Sequence, residues 1–212
     1  MRYKLLAIST LASVLVVGCS SEEVVKKDAP AAKAKPALMM GASASMLSET
    51  CEGCHGTSGN SSGPAIPSIA GMSEDYLVEA MEDYLSGDTQ STIMGRIIKG
   101  YTQDEIESMA KYYSSQTYIP AKQATNATMA KKGKQLHNTY CEKCHSDGGI
   151  NIEDDSGLLA GQWMPYLQYS LEDYTNSDRT ISKKMKKKLD ALIAKEGHAG
   201  VKSVIQYYGS YK

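Results

Sequence analysis

Apolar positions recur along this chain at steps of three and four residues, and no run alternates convincingly with period two. Tyr76, Leu77, Ala80, Tyr84 and Leu85 fall on one face of a helix that Ser73 starts and Gly87 ends. A second helix starts at Thr102, where Glu105 completes a capping box. Its inner face is Ile106, Met109, Ala110 and Tyr113. Met39 to Glu49 can form a shorter helix, with Met46 and Leu47 as packing candidates. Gly56 to Pro67, rich in Gly, Ser, Asn and Pro, reads as loop. The pattern predicts an all-α fold.

The same pattern returns further on. SIAGMSEDYLVEAMEDY (68–84) lies over GLLAGQWMPYLQYSLEDY (157–174) at an offset of 90, which pairs Ala70 with Ala160, Gly71 with Gly161, Leu77 with Leu167 and Tyr84 with Tyr174. Tyr112-Tyr113 match Tyr207-Tyr208 at an offset of 95, so the second copy carries a few extra residues between its middle and last helices. Met129, Gly133 and Leu136 lie on a helix in the second copy. Thr117 to Thr125, with Pro120, reads as the linker. Tandem duplication is the simplest account, with a first domain at 39–118 and a second at 119–212.

Each copy holds one short motif of the same kind: Cys51-Glu52-Gly53-Cys54-His55 and Cys141-Glu142-Lys143-Cys144-His145. C-x-x-C-H is the attachment signature for c-type haem. Two thiols three positions apart both reach the vinyl groups on one edge of a porphyrin, and the following histidine is placed under the iron. A thioredoxin-like redox pair would need a βαβ pattern, and none is visible. A zinc site would need two more ligands at short spacing, whereas the nearest other His or Cys to the first motif is His137. Two haem c groups are expected, in two tandem class I cytochrome c-like domains.

Composition narrows the rest. A net charge of -1 excludes a generally basic nucleic-acid binder, and 14 Tyr with one Trp replace the absent Phe in aromatic packing. Of five cysteines, four go to thioethers and leave Cys19, with none for a disulfide or an iron–sulfur cluster. Residues 1–18 carry Arg2 and Lys4 before an apolar run from Leu5 to Val17, and Val16-Val17-Gly18-Cys19 resembles a bacterial lipobox. A cleaved leader, a lipidated Cys19 and a disordered tether at 19–38 are expected. That places the protein on the periplasmic side, lipid-anchored to a bacterial membrane.

Each haem needs a sixth ligand explained. An open position would allow oxygen or peroxide chemistry, whereas a strong ligand makes an electron carrier. In the first copy the candidates are Met72, Met81, Met94 and Met109. Met94, 39 positions after His55 in irregular chain, is favoured over the helical Met81 and Met109 and over Met72, only 17 positions on. In the second copy Met185, 40 positions after His145, is favoured over Met164, which begins a helix. His137 and His198 are the rival ligands. The first is too close before Cys141 to cross the haem, and the second reads as a helix-start surface residue. The Pro64 carbonyl is a candidate acceptor for the other ring nitrogen of His55. The run Lys183-Lys184-Met185-Lys186-Lys187-Lys188 reads as a solvated helix face, or as a docking site for an acidic redox partner.

From the first motif onward the chain resembles the two-haem cytochrome subunit of flavocytochrome c sulfide dehydrogenase. The stretches that carry the resemblance are CEGCHGTSGNSSGPAIPSIA, STIMGRIIKGY, KYYSSQTYIPAKQ, CEKCH, LAGQWMPYLQY and the KKM segment. The resemblance implies no catalytic residue in this chain. It implies a separate flavoprotein subunit whose FAD oxidises sulfide, with electrons passed on singly to a downstream acceptor such as a small cytochrome c. It also implies His55 with Met94 and His145 with Met185 as axial pairs. The family's usual subunit is soluble, so the expected lipid anchor is a departure. The rivals are a freestanding membrane-tethered dihaem shuttle to a terminal oxidase and a catalytic two-haem enzyme.

Overall fold

The computed structural model describes residues 41–153 and 156–212. The expected leader at 1–18, Cys19, the tether at 19–38 and the first domain's start at Met39 lie outside the described residues. In order along the chain come α1 (Ala44–His55), α2 (Glu74–Ser86), α3 (Met94–Ile97), α4 (Gln103–Ser114), α5 (Ala127–Tyr140), the single turn α6 (Ser146–Gly149), α7 (Met164–Asn176) and α8 (Lys183–Gly209). Among the described residues no strand forms beyond one isolated antiparallel bridge, Thr89 to Arg179. None of their helices is long and apolar enough to cross a membrane.

Local chemistry sets the helix ends. Ser43, Ser73, Thr102, Asn126 and Ser182 each accept a hydrogen bond from the amide three residues on, a cap that contributes about 1 kcal/mol. The capping box of Thr102 and Glu105 is complete. α1 differs from the expected short helix ending at Glu49. Ser43 starts it later, and it runs through the first haem motif until Gly56, at φ 77, ends it.

The duplication extends to individual hydrogen bonds. The Gly59 carbonyl accepts from the amides of Ile69 and Ala70 at 2.7 and 3.1 Å, and the Gly149 carbonyl from those of Leu159 and Ala160 at 2.9 and 3.0 Å. The Gly71 amide donates to Tyr113 and the Gly161 amide to Tyr208, at 2.9 and 2.8 Å. The extra residues of the second copy lengthen α8, which breaks direction at Gly197 (φ 66, ψ -174). Gly197 stands 95 positions after Thr102, the cap of α4. A left-handed φ there favours glycine. The two arms of α8 thus replace the separate α3 and α4.

The cores are small. α4 buries Ile106, Met109, Ala110 and Tyr113, the predicted face, at about 1.5–3 kcal/mol for each large side chain. In the second half Leu136, Leu167, Leu192, Val204, Ile205, Tyr207 and Tyr208 cluster. A Cβ on Gly133 would overlap the Ser203 carbonyl, so α5 and α8 approach more closely than any side chain there permits.

The described residues fall within one compact unit, and the two halves meet about a local two-fold axis. The Gln90 amide donates to the Asp178 carbonyl at 3.1 Å, and Thr180, its counterpart 90 positions on, donates to Asp88 at 3.3 Å. Near this axis the Arg179 guanidinium lies over the Tyr174 ring at 4.9 Å. Its charge also bears on Tyr76, Tyr84 and Tyr166. Fully buried Gln162 accepts from the Ser68 amide at 3.0 Å and donates to its carbonyl at 2.9 Å. The Trp163 indole donates to the Ser61 carbonyl at 3.0 Å, and Leu158 joins the first half's core. The expected linker carries no helix, yet it is fastened. Asn60 holds Thr117 and Ile119, Tyr118 donates to the Ala160 carbonyl, and the Ala121 amide donates to Gly161.

Q162A strips two partners from a buried backbone unit, so it is expected to cost about 3 kcal/mol in denaturant unfolding of the haem-loaded chain. A loss below about 0.5 kcal/mol, the scale of a neutral surface change, would show that this pairing does not hold the halves.

Candidate haem sites

In the first half, Cys51 and Cys54 sit one turn apart at the end of α1, with Cys51 packed against both hydrophobic clusters and Cys54 exposed. His55 closes the helix. Its Nδ1 lies 2.9 Å from the Pro67 carbonyl. The expected acceptor was Pro64, and the structure corrects it. The loop turns back through Ser58, Gly59 and Gly63, all at positive φ, which presents the later carbonyl to the ring. Burial lowers the His55 pKa against the raising effect of the Pro67 bond. The result is a neutral imidazole that donates from Nδ1 and keeps a lone pair on Nε2 for a metal.

The second motif lies just past α5. The amides of Cys144 and His145 both donate to the Cys141 carbonyl at 3.0 Å, which continues the helical path. His145 Nδ1 pairs with the Ser156 hydroxyl at 3.1 Å, so a side chain replaces the carbonyl used in the first half. The two glutamates inside the motifs act alike. Glu52 accepts from the Ser58 amide at 2.9 Å and Glu142 from the Asp147 amide at 3.2 Å, and both donors stand at positive φ.

These residues fit a covalent haem. Each half offers two cysteines outside any disulfide, one packed against a core and one exposed, and a histidine oriented by its outer nitrogen. Burial raises the Cys51 thiol and pushes the Cys141 thiol up to about 11. Thiols held protonated are poor metal ligands and poor redox pairs. Among the described residues, no cluster of three His, Cys, Asp or Glu offers a separate metal site.

The methionines separate by packing. Met72 and Met109 are buried at 4% and 6% exposure inside the first half's clusters, and Met81 packs against one of them. Met164 starts α7 against the second half's core. Met94 and Met185 are half-buried and stand outside these clusters. Met94 does not lie in irregular chain as expected, since it is the first residue of the one-turn α3. Its neighbours Ile93 and Ile97 are exposed. Met185 sits in the first turn of α8, flanked by exposed lysines.

His137 has a position that sequence reasoning missed. It is fully buried, with Nδ1 at 2.9 Å from the Tyr208 hydroxyl and Nε2 against the Glu142 carboxylate. Cys141 packs against the cluster that contains Tyr208. A polar chain of Tyr208, His137 and Glu142 therefore runs from beside the attachment cysteine to the surface. The first half has Leu47, equally buried, 90 positions earlier. A histidine on the inner face where the repeat has leucine was the available signal. His198 lies on the exposed face of α8 just after the Gly197 break.

No protein-family model matches the chain. The cytochrome subunit of sulfide dehydrogenase from Chlorobaculum tepidum is 45% identical over 86 residues, 41% of this chain and 77% of that protein. The chain belongs to that cytochrome subunit's family. Cytochrome c4 from Pseudomonas aeruginosa is 27% identical over 153 residues, covering 68% of this chain and 76% of that one. The solved structure of reduced cytochrome c4 from Pseudomonas stutzeri superposes with a TM-score of 0.67 at 24% identity, over 81% of this chain and all of that one. The fold is two tandem class I cytochrome c domains. The family member described here is a dihaem electron-transfer cytochrome with two haem c groups, for which the two C-x-x-C-H sites account.

H137L places the first half's own residue at the matching position, so shape is preserved while the Tyr208 hydroxyl and Glu142 lose their buried partner. The haem-loaded variant is expected to lose about 1–3 kcal/mol in thermal unfolding. Unchanged stability would mean that the polar chain beside Cys141 contributes nothing to the fold.

Proposed function

We propose that this chain is the electron-transfer subunit of a sulfide dehydrogenase. It takes electrons from a FAD-containing flavoprotein subunit and passes them to a downstream acceptor such as a small c-type cytochrome. The observation that carries this is the 45% identity to a protein described as the cytochrome subunit of sulfide dehydrogenase, along 77% of its length. The chain is not an enzyme by itself on this reading. It is exported, cleaved and lipidated at Cys19, and held on the periplasmic side by residues 19–38. The working units are 39–118 and 119–212.

Haem iron supplies a centre that holds and releases one electron at a time. The protein fixes how readily that happens. Cys51, Cys54, Cys141 and Cys144 hold the porphyrins covalently. His55 and His145 present Nε2, each ring oriented through Nδ1 by the Pro67 carbonyl or the Ser156 hydroxyl. Met94 and Met185 are the residues that would supply each iron's second ligand, and a thioether there would keep the potential relatively high. The buried contacts at Gln162 and Trp163 hold the two halves in one arrangement. Arg179 has no carboxylate of the described residues paired with it, lies over the Tyr174 ring and donates to the Ser170 hydroxyl at 3.4 Å.

A second reading is a freestanding membrane-tethered shuttle to a terminal oxidase. The cytochrome c4 likeness favours it because it covers 68% of the chain. Gentle detergent purification from native membranes, followed by addition of sulfide, separates the two. A co-purifying flavoprotein and rapid haem reduction are expected. A lone cytochrome, inert to sulfide yet reducible by other donors, would overturn the subunit reading and leave the shuttle.

A further inference from the structure

The first turns of α1, α5 and α7 are uncharged and those of α2 and α4 are acidic, so α8 is the long helix among the described residues that opens on basic residues. α2 opens with Glu74 and Asp75, and α4 with Asp104 and Glu105. Carboxylates there complement the positive end of the helix dipole. α8 opens with no acidic residue and with Lys183 and Lys184, followed by Lys186, Lys187 and Lys188, all exposed. Lysines four apart repel one another, and those in the first turn also oppose the dipole. Among the described residues, the ion pair recorded for this run is Lys186 with Asp190 at 2.8 Å, both partners exposed. A sequence that accepts such a local conflict without a compensating contact marks a functional surface.

The run also leads to the second haem motif. Met185 is in its middle, half-buried, and one turn past Lys188 the buried Leu192 shares a cluster with Cys141. The first half has no such run, and the cations next to its Met94 in sequence are the exposed Arg96 and Lys99. Met94 is flanked by exposed Ile93 and Ile97, and residues 41–118 carry eleven Asp and Glu against three Lys and Arg. Residues 119–212 carry ten against fourteen. In the first half the carboxylates of Glu82 and Glu107 converge on the Gln103 amide at 3.0 and 3.2 Å, which joins the acidic faces of α2 and α4. A negatively charged protein is repelled by one half and drawn to the other.

We propose that the lysine run Lys183–Lys188 is the docking surface for a redox partner whose electron-transfer face is rich in carboxylates, engaged at the second haem. This rests on the reading of Met185 as a ligand at that haem. The acidic first half is left for a partner of the opposite sign, so donor and acceptor are sorted by charge along one chain. Such a surface acts mainly on encounter rate and its salt dependence.

The test uses the full haem-loaded chain and the variant K183E/K184E/K187E, which spares Met185 and the Lys186–Asp190 pair. The substitutions agree with the helix dipole, so loss of folding is not expected, and unchanged unfolding confirms it. Reduced flavodoxin, an acidic flavoprotein, serves as the protein probe. Ferricyanide and tris(phenanthroline)cobalt(III) serve as small oxidants of opposite charge. The variant is expected to accept electrons from flavodoxin about tenfold more slowly at low salt, with the gap closing at high salt. It should also lose rate with ferricyanide and gain rate with the cobalt complex. Rates within about twofold of the parent at low salt, or an equal change at high salt, would overturn the proposal. If no flavoprotein co-purifies from membranes while these charge effects persist, the sulfide reading falls and the docking surface stands.

Discussion

A helical half of some eighty to ninety residues cannot bury enough apolar surface to be secure by itself, and every other feature of this chain answers that constraint. The packed clusters hold only a handful of buried side chains each, and the first cysteine of each motif packs against them. Cys51 lies against two clusters and Cys141 against the third. A porphyrin fixed at those sulfurs extends the core it is bonded to. The histidine that follows is then oriented from outside, through Nδ1, so that binding geometry is set by the fold.

The second response is duplication, and its departures from symmetry matter as much as its repeats. The exchanged bonds at Asp88 and Asp178 place the copies about a two-fold axis, yet the residues that lock them are unpaired in type. Gln162, Trp163 and Arg179 have Met72, Ser73 and Thr89 as counterparts. The haem surroundings diverge as well, with leucine against histidine at 47 and 137 and isoleucines against lysines beside the two methionines. Two sites with the same covalent frame thus stand in different polar surroundings.

Periodicity and capping made the helices legible, because α2 and α4 carry their boundaries in their own residues: Ser73 and Gly87 in one, Thr102 with Glu105 in the other. The two C-x-x-C-H motifs and the offset of 90 made the duplication legible in the same way. Contacts that depend on the path of a loop were less readable. Pro64 was the expected acceptor for His55 and Pro67 is the actual one, since three residues at positive φ decide which carbonyl faces the ring. Ser156 had no signal in sequence at all. The roles of His137 and Gln162 are set by residues 71 and 94 positions away, a separation that no local pattern encodes, although the inner-face histidine at a leucine position was a hint.

The central proposal is that each iron would be held by a histidine and a methionine of this one chain. Intact mass measurement of the purified protein, paired with near-infrared spectra of its oxidised form, tests it most directly. Two covalent haems and two equal methionine-to-iron bands, one removed by M94A and the other by M185A, are the result this account predicts. A single haem, a bis-histidine spectrum, or a methionine band that survives both substitutions would contradict it.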